Sequence, residues 1–171
     1  MTEFILIRHG EPRYDEVNKR GYKGMGYDMG RLSELGILQA ERRSEDPTLK
    51  GAGIIVSSPY TRALQTAAII SRATQIPLIV ENDIHEWMPD ITFDCELNVK
   101  NHFNKYLDQR GIPKENDVFE SYENLKKRVD IVLDKYKNYK KVIVVCHGIV
   151  ISTQTHFDDT LEHCGLRKVY K

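Results

Sequence analysis

Two apolar runs in this chain each end in His-Gly. Phe4-Ile5-Leu6-Ile7 leads into Arg8-His9-Gly10, and Val142-Ile143-Val144-Val145 leads through Cys146 into His147-Gly148. Short apolar runs bounded by glycine predict buried strands, and in α/β folds ligands bind where the chain leaves the carboxyl ends of parallel strands. Two imidazoles at two such mouths can therefore share one crevice. A third mouth lies between them: Gly53-Ile54-Ile55-Val56 is followed by Ser57-Ser58-Pro59-Tyr60-Thr61-Arg62. That stretch predicts a helix start with Ser58 as N-cap and Pro59 at the first helical position, which places Arg62 in the first turn. Free N–H groups, the helix dipole and the guanidinium would all favour an anion there.

Helical and strand patterns alternate along the chain, as a three-layer α/β/α sandwich with a mostly parallel central sheet requires. Strands are predicted at 3–7, 53–56, 77–80 and 141–146, with an edge strand around 166–170. Helices are predicted to begin at Ser33, at Pro59 and near Ser121; the last carries Leu125, Val129, Val132 and Tyr136 on one face, with lysines and aspartates opposite. The stretch from Pro12 to Gly30 is rich in Gly, Tyr, Lys and Arg with little periodicity, and is expected to be a long loop over the site.

A chain of 171 residues with 40% hydrophobic content suits one domain, residues 1–171, with a sizeable core. Lys+Arg and Asp+Glu are both 25, so broad nucleic-acid or anionic-membrane binding is not expected, and any positive potential must be local and directed at a small anion. With no basic leader and no apolar stretch near the roughly 20 residues that span a bilayer, a cytoplasmic location is the expectation. The three cysteines, Cys95, Cys146 and Cys164, form no disulfide framework, and Cys146, ending a buried strand, is expected to be inert core. Six histidines raise the question of a metal, but there is no His-x-x-x-His helix pair and no Cys-x-x-Cys, so no metal or other cofactor is expected.

Leu6-Ile7-Arg8-His9-Gly10-Glu11, the block from Ser57 to Ala67 and Val144-Val145-Cys146-His147-Gly148, in this order across almost the whole chain, resemble the histidine phosphatase superfamily, also called phosphoglycerate-mutase-like. Leu32-Ser33-Glu34-Leu35-Gly36 is similar to the stretch that opens that family's first helix. The resemblance implies a transient phosphohistidine at His9 and a phosphate clamp of Arg8, Arg62 and His147, with Gly10 and Gly148 beside it as substrate-binding positions. The family's proton donor is an acid after the third strand. Glu86 matches that position best, and Asp83 is the second candidate, because the following Trp87-Met88-Pro89-Asp90 departs from the family pattern. Asp15 stands where many members carry Asn. The remaining histidines, His85, His102, His156 and His163, have no motif context and are expected to be structural or superficial, with at most one lining the pocket.

This residue set agrees with the chemistry. A neutral imidazole is nucleophilic at one nitrogen when the other nitrogen's proton is held, and neighbouring cations disfavour its protonated form. Phosphoryl transfer depends mostly on positioning and on stabilising the equatorial oxygens, which two arginines and two histidines can do without metal. The expected activity is therefore a metal-independent phosphatase acting on a small phosphomonoester. The alternatives are a phosphohistidine phosphatase acting on a protein, a phosphoglycerate-type mutase, or a module that binds phosphate without turnover. Family mutases generally have longer C-terminal segments than the 24 residues that follow His147 here. Short phosphohistidine phosphatases often lack the acid that Glu86 supplies. Specificity is expected in Pro12 to Gly30 and Trp87 to Tyr106, where Tyr14, Tyr22, Tyr27, Trp87 and Phe93 could stack on a substrate or simply pack.

Overall fold

A computed structural model describes residues 1–93 and 99–171. Its centre is a five-stranded sheet made of β1 (Glu3–Arg8), β2 (Ile54–Ser57), β3 (Leu78–Val80), β4 (Lys141–Cys146) and β5 (Leu166–Tyr170), in the order β3-β2-β4-β1-β5. The β1/β4, β2/β4 and β2/β3 pairs are parallel, while β5 runs antiparallel along the β1 edge.

Alternation along the two apolar central strands explains why they are apolar throughout. Phe4, Leu6, Val142 and Val144 face one core and Ile5, Ile7, Ile143 and Val145 the other. The first core is closed by α5 (Tyr122–Asp134) through Leu125, Val129, Val132 and Leu133, together with Tyr106 of α4 (Val99–Asp108) and Val150 and Ile151 of α6 (Gly148–Ser152). The second is closed by Ala63, Ala67 and Ile70 of α3 (Thr61–Thr74), against which α2 (Glu34–Ser44) packs. The sheet thus lies between two helical layers. Each large apolar side chain so buried contributes about 1.5–3 kcal/mol relative to exposure.

Local chemistry sets the helix starts. Ser33 and Ser121 cap α2 and α5, their hydroxyls accepting from the amides of Gly36 and Asn124 at 3.0 and 3.1 Å. The third start differs from expectation. α3 begins at Thr61 with Tyr60 in the N-cap position and no side-chain cap, two residues later than Pro59 as the first helical residue would require. Ser58 is not the cap because its hydroxyl is engaged elsewhere, as described below. Arg62 still falls in the first turn.

The stretch from Pro12 to Gly30 is more ordered than a loop, forming α1 (Asp15–Lys19) and a 3-10 turn at Gly24–Met29. Both are one or two turns long, too short to give a periodic signal. The rings of Tyr14 and Tyr27 stack with centroids 4.6 Å apart and join the two pieces.

Candidate active site

Sheet register brings the three mouths together. Arg8 is paired with Cys146 across β1/β4, so His9 and His147 leave adjacent strands at the same level, and the His9 amide donates to the Cys146 carbonyl at 3.0 Å. Ser57 is paired with Val145 on the other side of β4, and the Ser58 amide donates to the Val145 carbonyl at 3.0 Å. The imidazole centroids of His9 and His147 are 5.2 Å apart, edge to face.

His9 is 5% exposed and held at both ring nitrogens. Nδ1 lies 2.8 Å from the Gly10 carbonyl, which can only accept, so Nδ1 carries the proton. Nε2 keeps its lone pair and receives a hydrogen bond from Arg62 Nε at 3.2 Å. Burial pushes the His9 pKa down to about 3, the Gly10 carbonyl opposes this, and Arg62 and Arg8 reinforce it. Neighbouring cations were expected to keep this ring neutral; burial is the larger cause.

The other clamp residues gather around it. Arg62 is buried, and its Nη1 donates to Asp28 of the covering segment at 3.0 Å. Its guanidinium lies over the Tyr60 ring at 5.2 Å. His147 is fully buried, with Nε2 2.7 Å from Ser58 Oγ. The Tyr60 amide donates to the same Oγ at 3.3 Å. The His147 Nδ1 is buried without a partner among the described residues. Arg8 donates through Nη1 to the Leu161 carbonyl, while its Nε is likewise buried and unpartnered.

Gly10 and Gly148 need separate accounts. The Gly10 amide donates to Thr66 Oγ1 at 3.0 Å, so it is committed and Gly10 serves the site through its carbonyl instead. A Cβ at Gly10 would stand 2.5 Å from the Gly36 carbonyl oxygen, which explains why glycine occurs at both positions where α2 meets the end of β1. At Gly148 a Cβ would sit 3.7 Å from Arg8 Nε, an ordinary contact, so Gly148 marks the open space beside that guanidinium.

Glu86 follows the 3-10 turn at Asn82–Ile84, and its Oε1 accepts from the Trp87 amide at 2.9 Å. Burial raises its pKa, against the pull of that amide and of Arg62, Arg8 and Arg128. Asp83 is exposed on the turn, on the side where Arg128 takes its backbone carbonyl. The exposed Asp15 pairs with the exposed Arg13, which balances its charge.

Three residues near the site lacked a signal in the sequence. Arg128, on the polar side of α5, pairs with buried Glu120 at 2.7 Å and donates to the carbonyls of Asp83, His85 and Glu86 at 2.6, 2.9 and 3.1 Å, thereby fixing the backbone that carries Glu86. His163 places its ring 5.6 Å from His9, and His85 lies 5.8 Å from Tyr60. Two motif-less histidines thus adjoin the site where one was expected. Trp87 is a packing residue: it is buried against Tyr106 and Phe119, with its indole N–H on the Glu120 carbonyl at 2.8 Å. Cys146 is buried and its thiol pKa is raised by burial, as inert core requires. Cys95 and part of the Trp87 to Tyr106 segment lie outside the described residues. Among the described residues no group of three His, Cys, Asp or Glu side chains is placed to hold a metal ion, and no helix is long and apolar enough to cross a membrane.

The profile of the histidine phosphatase superfamily (branch 1) matches residues 4–157, and the chain belongs to that family. It is a phosphatase of the histidine-dependent class. Among its relatives, a Hydrogenobacter thermophilus protein named phosphoserine phosphatase 2 is 29% identical over 159 residues, 86% of this chain and 74% of the other. The solved structure of a mutant phosphoserine phosphatase from Entamoeba histolytica, in complex with phosphoserine, is 29% identical, covers 100% of this chain and 92% of the other, and superposes with a TM-score of 0.67. A mycobacterial glucosyl-3-phosphoglycerate phosphatase with inorganic phosphate shares the fold with a TM-score of 0.75 at 17% identity, covering 99% of this chain and 90% of the other.

Proposed function

We propose that the protein hydrolyses a small phosphomonoester without metal, through a phosphohistidine at His9. The observation that carries this reading is the state of the His9 ring: Nδ1–H is held by the Gly10 carbonyl at 2.8 Å and Nε2 is left with its lone pair. In the first step Nε2 attacks phosphorus, the bond from phosphorus to the ester oxygen breaks, and Glu86 gives its proton to the departing alkoxide. In the second, water attacks the phosphohistidine, the carboxylate of Glu86 takes its proton, and the P–N bond breaks to restore neutral His9. Arg8 lines the open space beside Glu86 and Arg62 stands beside His9, so the two guanidiniums supply positive charge for phosphoryl oxygens, with the His147 ring 5.2 Å from His9 completing the clamp. A protonatable carboxyl at Glu86 favours an alkoxide leaving group over a phosphoramidate, which needs less help to depart.

The reading is tested by quenching turnover of a labelled phosphomonoester in the presence of chelator. An acid-labile, base-stable phosphate should appear on the protein, and His9→Ala should abolish both label and turnover. Turnover surviving in His9→Ala, or loss on chelation restored by a divalent ion, would overturn it. Delivery of the label to an added phosphorylated alcohol instead of water would make the protein a mutase.

A further inference from the structure

A cavity of about 500 Å³ opens from Arg8, Glu86 and Gly148 and runs between α4 and the segment after α6. Because Glu86 stands at its inner end, this is the space into which the oxygen it protonates would carry its substituent. The walls are Phe103, Tyr106 and Leu107 of α4, Ile149 of α6, and Phe157 with Leu161. Arg8 is the one cation among the described lining residues. The two acids at the rim are already paired: Asp158 with Arg110 at 3.0 Å, and Asp159 with Arg167 at 2.7 Å. Arg110 also lies over the Phe157 ring at 4.7 Å, its charge engaged by Asp158. A carboxylate in the cavity would therefore be desolvated with no counter-ion beyond the arginine that the phosphoryl group needs.

Ser152 and Thr160 also line the cavity, the Ser152 hydroxyl being spent on the Ile149 carbonyl at 2.8 Å. Tyr106 is 1% exposed and its hydroxyl is buried, so it offers a bound alcohol no open hydrogen-bonding position.

We infer that the cavity is the leaving-group subsite and that the substrate is a phosphomonoester of an uncharged, mainly apolar alcohol. The assignment rests on the phosphatase reading above. It separates this chain's substrate class from phosphorylated hydroxy acids, whose carboxylate sits near the phosphate.

One pair of esters with equally poor leaving groups tests it. Benzyl phosphate should exceed 4-carboxybenzyl phosphate in kcat/KM by about tenfold or more, since leaving a charge unpaired costs upwards of ~1.4 kcal/mol. Leu107→Arg puts a cation on a half-exposed wall position and should shrink or invert that ratio. A ratio is insensitive to the fraction of enzyme that folds. Equal kcat/KM for the carboxylated and plain esters in the unaltered enzyme overturns the cavity assignment while leaving the phosphatase reading intact. If neither ester nor p-nitrophenyl phosphate is hydrolysed, and no label reaches His9, both readings fall.

Discussion

Ser58 Oγ lies 2.7 Å from Nε2 of His147 and accepts from the Tyr60 amide at 3.3 Å, so one hydroxyl engages both a buried imidazole and the chain entering α3. Replacing Ser58 with Ala leaves Nε2 buried without a partner, at a cost of about 1–3 kcal/mol. The ring is then free to carry its proton on either nitrogen. Ser58→Ala should lower both the melting temperature and kcat, with kcat down about tenfold if one transition-state hydrogen bond of ~1.4 kcal/mol is lost. Thermal unfolding and steady-state rates check this; a variant with unaltered kcat would remove His147 from the clamp.

Glu86 should reveal itself in the alkaline limb. A general acid must be protonated, and burial raises the pKa of Glu86 so that the acid form persists to higher pH; activity on an alkyl phosphate falls as pH rises through that value. Glu86→Gln should remove the limb and slow alkyl phosphates by about 10² to 10⁴-fold in a single turnover, while p-nitrophenyl phosphate suffers much less. Arg128→Lys keeps a charge but loses the fork that grips the carbonyls of residues 83, 85 and 86, and should move the limb while leaving a measurable rate. Equal slowing of both substrates by Glu86→Gln would deny it the role of proton donor.

Asp28 opposes the field that Arg62 presents to a phosphate, its carboxylate standing 3.0 Å from Nη1. Asp28→Asn removes the charge and keeps the shape. The inhibition constants of inorganic phosphate and vanadate should fall several-fold, with the effect shrinking as salt is added. Constants that stay the same or rise would mean that the carboxylate chiefly holds the guanidinium in place.

Acid should destabilise the fold through its neutral histidines. His9, at about 3 in the folded protein against 6.5 when free, takes up a proton on unfolding at any pH between those values, and buried His147 is shifted the same way. Stability from these groups is complete above pH 6.5 and is lost as pH falls below it, each such histidine adding about 1.4 kcal/mol per pH unit to the slope. Denaturant titrations at pH 7 and pH 5 measure it, and His147→Asn should flatten the dependence. An unfolding free energy independent of pH over this range would contradict the neutral, buried state of both rings.

The Gly10 and Gly36 contact can be tested by packing alone. Ala at Gly10 would bring a methyl carbon within 2.5 Å of the Gly36 carbonyl oxygen, forcing α2 away from the loop whose carbonyl holds His9. Gly10→Ala should reduce stability and kcat together, by roughly 1–3 kcal/mol in stability as for overpacked cores. Normal stability with normal kcat would show that the helix can retreat freely.

The sequence alone determined the strands, their burial on both faces and the residues at their mouths. Continuous apolar runs ending in Arg-His-Gly and His-Gly are local patterns, and a parallel sheet converts them directly into adjacency, as the pairing of Arg8 with Cys146 shows. The start of α2 at Ser33 was legible for the same reason, whereas the close approach that requires Gly36 was not, because it is made to Glu11 on another segment. Tertiary structure decided what depends on partners far along the chain. Ser58 looked like a helix cap, but a buried imidazole 89 residues away competes for its hydroxyl and prevails. Asp28, Arg128 and His163 reach the site from a short covering turn, the polar face of a helix and a late loop, none of which carries a periodic or motif signal. The apolar cavity beside Glu86 is likewise assembled from α4, α6 and the chain after it, so its character follows from packing between elements and cannot be read from any one of them.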